Sequence, residues 1–265
     1  MELIFLKLGG SLITQKDKPF TERKDSIERL VKEIHEARQE KDFRLLIGNG
    51  GGSYPHAPAK KYQTAQGIIN EQSIRGIAEV QDAASRLNRI IVRALLDAGE
   101  NAISVQPSSV CITENSRIIE FYTKPLEMLL EKEILPVTYG DVGLDTKQGC
   151  CIISTEELFV FLTKKLKPQK IIMAGVVDGV FTADPTKDKT AQMVPEINSR
   201  NYPEIKKMLS GSAGIDVTGG MLLKVEKALE LASTGAEVSI INGLIGNRVK
   251  EALLGKEIVS TVIKT

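Results

Sequence analysis

The sequence predicts an α/β protein with a mostly parallel sheet covered by helices on both faces. Two observations predict it. Short apolar runs of strand length alternate along the 265 residues with longer stretches whose apolar residues recur at helical spacing. The first of those runs, Glu2 to Leu8, is apolar nearly throughout, as a strand buried on both faces is.

Each element follows from its local pattern. Glu2 to Leu8 is a buried strand that ends in the tight turn Gly9-Gly10-Ser11. Ile27, Leu30, Val31 and Ile34 lie on one face of a helix from Asp25 to Glu40. Phe43 to Ile47 is the second strand, followed by the loop Gly48 to Ser53. A long helix runs from about Glu71 to Ala98 and stops at Gly99, and Ala102 to Val105 is a short strand. Lys124 to Lys132 is a helix and Ile134 to Thr138 a strand. Thr155 to Lys167 is a helix, capped by Ser154 or Thr155, with Glu157 in its first turn. Lys170 to Ala174 is a strand, and Asp178-Gly179 is a hairpin turn followed by a loop. Met221 to Ser233 is a helix ended by Gly235; Glu237 to Ile241 is a strand, Asn247 to Leu254 a helix and Ile258 to Ile263 a last strand. A weak boundary at Leu166-Lys167-Pro168 divides a first lobe, 1–167, from a second, 168–265.

Composition narrows the function. The chain is 42% hydrophobic and 26% charged with a formal net charge of +1, so no charge excess points to nucleic acid or an anionic membrane. No apolar run approaches the roughly 20 residues needed to span a bilayer, and Met1 to Leu12 lacks the basic lead of a signal peptide. The three cysteines, Cys111, Cys150 and Cys151, are odd in number and two are adjacent. That argues against a disulfide framework and for a reducing cytoplasm. No Cys or His spacing matches a zinc site, and no residue is assigned as a metal ligand.

Five motifs could carry chemistry. Lys7-Leu8-Gly9-Gly10-Ser11 and Gly50-Gly51-Gly52-Ser53 each follow a strand, and glycines at the carboxyl edge of an open α/β sheet let backbone amides approach an anion closely. His56 follows Ser53 by three residues. Gly140-Asp141 ends a strand; taken alone it reads as an ordinary turn, and beside two phosphate loops it could orient lysines. Asp178 to Pro185 reads alone as a turn and loop. In Thr218-Gly219-Gly220-Met221-Leu222-Leu223-Lys224, glycines open a helix whose positive end is reinforced by Lys224. Neither a Walker A loop nor a dinucleotide fingerprint is present; Ser53 stands where the latter needs glycine.

In this order the motifs resemble the amino-acid-kinase superfamily over essentially the whole chain. Within it, Ile13-Thr14-x-Lys16, Gly50-Gly51-Gly52-Ser53-Tyr54-x-His56 and Gly140-Asp141-Val142 are similar to the isopentenyl phosphate kinases. The related fosfomycin kinases share a histidine of this kind, so the motif narrows the acceptor without fixing it.

The resemblance implies a three-layer αβα sandwich with the acceptor in the N-terminal lobe and ATP in the C-terminal lobe. It implies a homodimer, Mg²⁺ as cofactor and a phosphate monoester as small-molecule partner. It casts Lys7, His56, Asp141 and Lys224 as the catalytic set. Lys7, Lys16 and Lys224 would contact ATP phosphates, Asp141 would order Lys7 and Lys224, and His56 would hydrogen-bond the acceptor's phosphate. Gly9, Gly10, Ser11, Asp178, Gly179, Asp184, Gly219 and Gly220 would border the nucleotide. Gly51, Gly52, Ser53 and Gly149 would serve the acceptor. An isoprenoid tail would meet Val80, Ala83, Ala84 and Leu87 on the long helix, with Ile152 opposite.

One departure stands out: Pro55 replaces the usual glycine between the aromatic residue and the histidine. Proline removes an amide donor and biases Tyr54 toward extended backbone, so a stiffer loop is expected. A rival from another functional class is a nucleotide-binding storage or regulatory protein on the same fold, against which the three lysines and Asp141 speak.

Overall fold

The computed structural model describes residues 1–185, 187–211 and 220–265, the side chains of Ser210 and Gly211 excepted. The strands are Leu3–Leu8 (β1), Arg44–Asn49 (β2), Ala102–Ser104 (β3), Cys111–Glu114 (β4), Arg117–Phe121 (β5), Leu135–Tyr139 (β6), Asp141–Asp145 (β7), Gly149–Ile153 (β8), Lys170–Gly175 (β9), Val180–Phe181 (β10), Met193–Val194 (β11), Glu196–Ile197 (β12), Glu237–Asn242 (β13) and Thr261–Ile263 (β14). The helices are Gly10–Ile13 (α1), Lys24–Glu40 (α2), Ser53–Tyr62 (α3), Glu71–Asp97 (α4), Lys124–Glu131 (α5), Thr155–Leu166 (α6), Tyr202–Gly211 (α7), Gly220–Ala232 (α8) and Arg248–Leu254 (α9).

Eight strands form one sheet in the order β12-β14-β13-β9-β1-β2-β6-β3. Its core is parallel, with β1 between β2 and β9, and only β14 against β13 is antiparallel among the paired neighbours. The expected boundary at 167/168 falls just before β9, so this one sheet crosses it through the β1–β9 pairing.

The even and odd residues of β1 explain the layers. Leu3 and Phe5 join a core with β9, β13, α5, α6 and α8, whereas Ile4, Leu6 and Leu8 join a second core with α2, α4 and α9. A strand buried on both sides cannot alternate apolar with polar, which is why its sequence is an apolar run. Each fully buried Leu, Ile or Phe contributes roughly 1.5–3 kcal/mol, enough for the two faces to dictate the architecture. The three-layer α/β arrangement expected from the sequence is present.

Three features depart from the expectations. The second glycine loop is shorter than Gly48 to Ser53, because Gly48 and Asn49 complete β2 and Ser53 opens α3. The Asp178-Gly179 turn precedes β10 rather than closing a hairpin; β10 pairs with β11 across a longer connection. A four-stranded sheet, β5-β4-β7-β8, was not foreseen. Its strands are short, and two pairings are local hairpins while β4–β7 is long-range.

Candidate active site

The site begins with strand alternation. Lys7 lies two residues beyond Phe5 and shares its face, toward α6. Phe5 packs on Phe159 of α6 with ring centroids 5.0 Å apart. The first turn of α6 therefore stands over the carboxyl end of β1. The Ser154 hydroxyl caps that turn by accepting from the Glu157 N–H at 3.1 Å. Glu156 is thereby aimed at Lys7, with Lys7 Nζ 2.8 Å from Glu156 Oε1. Burial opposes ionisation of Glu156, but the charge and hydrogen bond of Lys7, with a smaller contribution from the Lys224 charge, hold its carboxyl below the ordinary range.

The two glycine loops meet backbone to backbone. A Cβ on Gly10 would lie 2.5 Å from the Gly52 nitrogen, so no side chain fits there. Gly52 has φ +54°, a left-handed conformation that glycine adopts without strain. Thr14 ties the loops together: its hydroxyl donates to the Gly10 carbonyl at 2.8 Å and accepts from the Ser53 N–H at 3.0 Å.

Pro55 is accommodated without loss. It is the third residue of α3, where the amide has no intrahelical partner, so its missing N–H costs no helix bond. Its ring packs where a Gly51 side chain would project. Tyr54 is helical rather than extended, contrary to the expectation from its proline neighbour. It is held by its hydroxyl donating to Glu22 at 2.6 Å and by an edge-on contact with Phe20. The stiffening falls on a helix start.

Two cavities open on either side of the Gly9-Gly10-Ser11 turn. The larger, about 510 Å³, is bounded by Gly50 to Gly52, Pro55, His56, Val80, Asp141 and Ile152. The smaller, about 120 Å³, is bounded by Gly9, Met173 to Val177, Met221 and Lys224. Lys7, Gly10 and Ser11 border both. A cation and a run of backbone amides thus stand at the junction of a roomy, largely apolar chamber and a narrow one. That arrangement can hold two anionic groups face to face, because a lysine and open amides offset their repulsion.

His56 lies on α3 at the rim of the larger cavity. Partial desolvation, then the charge of Lys16, lower its pKa, so the imidazole is neutral at physiological pH. Asp141, only 2% exposed, accepts from the Ser108 N–H at 3.1 Å and the Val142 N–H at 2.9 Å. Burial nevertheless pushes its carboxyl up to about 6 against those hydrogen bonds.

A sequence model of the amino acid kinase family matches residues 2–242. The chain belongs to the amino acid kinase family. Within it, the chain is 36% identical over 269 residues to the isopentenyl phosphate kinase of Methanothermobacter thermautotrophicus, covering 98% of each chain. It is 34% identical to that of Methanocaldococcus jannaschii, covering 96% of each. A solved isopentenyl phosphate kinase structure superposes with a TM-score of 0.85 at 33% identity, covering 99% of this chain and 100% of that one. An ATP-dependent phosphotransferase activity follows from the family and these relatives.

Against the family expectations, the site residues sort clearly. Lys7, Gly10, Ser11, Gly51, Gly52, His56, Val80, Asp141 and Ile152 border the larger cavity, and Gly9 and Lys224 the smaller. Gly220 opens α8, the helix that carries Lys224. Lys16 is exposed, with its charge felt at His56. Ser53 is buried and spends its N–H on Thr14, so it holds the loop rather than facing the chamber.

Three of the four long-helix positions move into the interior. Leu87 belongs to the core between α4 and the sheet, and Ala83 and Ala84 are 1% exposed without bordering the cavity, because the chamber meets α4 nearer its start. Gly149 packs against Ile68. Gly179 packs against Thr261, and Asp178 faces Arg248 at 3.5 Å; Asp184 faces Lys187 at 3.8 Å. None of these borders either cavity. Gly219 lies outside the described residues.

The correction with most consequence concerns Asp141. The carboxylate that holds Lys7, and senses Lys224, is Glu156. Asp141 spends its oxygens on backbone amides instead. From the sequence only Glu157 is named in that turn, as an acid at a helix's positive end, and Glu156 is not singled out. No signal in the chain marks it: only the packing of Phe159 on Phe5 sets the first turn of α6 over Lys7.

Proposed function

We propose that this protein transfers the γ-phosphoryl group of ATP to isopentenyl phosphate, giving isopentenyl diphosphate and ADP. The observation that carries the reading is Lys7 at the junction of the two cavities, together with relatives of that name matched over nearly the full length. The larger cavity takes the acceptor: its volume suits a small ligand, its walls include Val80 and Ile152, and His56 stands at its rim. ATP phosphates approach from the side of Lys224 and the start of α8. By this division residues 1–167 bind the acceptor and residues 168–265 the nucleotide.

In the reaction an acceptor phosphate oxygen attacks the γ-phosphorus and the bond to the β–γ bridging oxygen breaks. Catalysis is positioning and charge neutralisation. A phosphate monoester, with a second pKa of about 6, is largely dianionic at neutral pH and needs no general base. His56, neutral at that pH, donates a hydrogen bond that orients the nucleophile. Lys7, held by Glu156, meets the transferred group, and the amides of Gly10 and Gly52 cradle phosphate oxygens. Lys16 adds a cation beside His56.

Mg²⁺ neutralises phosphate charge when bound. Such an ion would be carried by nucleotide phosphates, waters and one or two carboxylates. Three free, buried cysteines support a reducing cytoplasmic setting, and no described helix is long and apolar enough to cross a membrane. A homodimer through the first lobe completes the reading, and sedimentation tests it.

The deciding experiment is ADP release with ATP, Mg²⁺ and a panel of isopentenyl, dimethylallyl and geranyl phosphates, fosfomycin and acetylglutamate. Preferential turnover of isopentenyl phosphate is expected. Preference for fosfomycin or acetylglutamate overturns the acceptor, and silence on all five overturns the enzyme.

A further inference from the structure

The first turn of α6 carries adjacent acids that engage different partners. Glu156 turns into the site toward Lys7. Glu157 is buried at 8% exposure, and its Oε2 accepts from Lys227 Nζ at 2.6 Å and from Arg117 Nη1 at 3.0 Å. Lys227 also donates to Glu230 at 2.9 Å, and Arg117 reaches Glu230 at 3.4 Å, closing a four-membered ring of charges across β5, α6 and α8. Arg117, Glu157 and Lys227 border neither cavity.

An exposed ion pair would mean little, but an acid this buried is costly without its cations. Lys227 lies three residues beyond Lys224, so the two share a face of α8. The Ser154 cap makes the turn bearing both acids rigid. One turn of α6 therefore meets α8 through Glu157 and Lys227, while Glu156 lies within the field of Lys224.

We propose that the Glu157–Lys227 pair is a positioning latch that holds the first turns of α8, and with them Lys224, in register with the Lys7–Glu156 pair across the transferred phosphoryl group. The proposal rests on the kinase reading above. Glu157 and Lys227 touch no reacting atom; they act through Lys224. Phosphoryl transfer is sensitive to this, because a misplacement of about 1 Å can cost about 100-fold in rate.

The test is steady-state kinetics on Lys227→Met, Lys227→Arg and Lys206→Met. Lys206 pairs with Glu226 on α8 at 2.9 Å, so its variant removes a salt bridge from the same helix without touching the latch. In Lys227→Met, kcat falls about tenfold or more, with the acceptor KM unchanged and folding intact by near-UV circular dichroism. Lys227→Arg keeps most of the parent kcat, and Lys206→Met keeps all of it. A folded Lys227→Met with parental kcat overturns the latch, as does an equal loss in Lys206→Met or Lys227→Arg. Should the parent itself fail on isopentenyl phosphate, the substrate reading falls and the latch is judged by nucleotide affinity alone. Weaker AMP-PNP binding by calorimetry in Lys227→Met, with Lys227→Arg unaffected, supports it; parental affinity in both overturns it.

Discussion

Asp141 and Glu156 border the same cavity, yet the protein treats their charges in opposite ways. Glu156 sits at the positive end of α6 with Lys7 at 2.8 Å, and it stays ionised. Asp141 opens β7 with backbone amides but no side-chain cation in hydrogen-bonding contact, and burial raises its carboxyl to about 6. A carboxylate that faces a cation can order a lysine; one that faces backbone amides holds loops. The difference teaches that an acid's role is set by what faces it, not by its place in a motif.

The sharpest way to break this comparison is Glu156→Gln. It leaves Lys7 without its counter-charge, and kcat should fall about 10²- to 10³-fold in the ADP-release assay, the loss typical of removing one preorganised electrostatic group. Asp141→Asn keeps Lys7 paired, so its kcat should fall less. A larger loss in Asp141→Asn would reverse the assignment.

Asp141→Asn tests the other side through stability. A folded-state pKa raised from 3.8 to about 6 means that folding favours the protonated acid. Its favourable contribution is complete below pH 3.8 and gone above pH 6. Asparagine imitates the protonated form, so the variant should gain at most about 3 kcal/mol over the parent at pH 7.5, less any cost to the amide hydrogen bonds. About half of that gain should remain at pH 5. Urea unfolding at both pH values measures it; a pH-independent difference would remove the strained carboxylate from the account.

His56→Asn sharpens the division between positioning and proton transfer. With a hydrogen-bond donor retained, kcat should drop only about tenfold. Complete loss with intact ATP binding would make His56 a base.

The smallest effect distinguishes cavity wall from core. Val80→Phe narrows the chamber and should reduce turnover of geranyl phosphate more than of isopentenyl phosphate. Ala83→Phe, placed in a filled interior, should cost about 1–3 kcal/mol of stability by overpacking without changing chain-length preference. Thermal unfolding beside the substrate panel separates the two.

Much of this was legible in the chain. The apolar run of β1 announced a strand buried on two faces, and the periodicity of α2 placed its apolar stripe correctly. The glycine loops and His56 were legible because backbone approach to an anion leaves a compositional mark. The hairpins of the small sheet were missed because their strands are short and one pairing is long-range. Helix α3 was missed because the glycines and Pro55 read as a stiff loop, although Pro55 falls where the helix has no hydrogen bond to lose.

Local patterning by itself determined the alternation of strands and helices and the glycine loops after the first two strands, because dihedral preference and hydrophobic period are properties of neighbours in sequence. Only the tertiary structure decided that Glu156 rather than Asp141 holds Lys7, that Leu87 is core and Val80 is wall, and that Glu157 reaches Lys227. Those outcomes depend on how α6 packs over β1 and beside α8. Electrostatic partnership follows distance in space, which no spacing along the chain encodes.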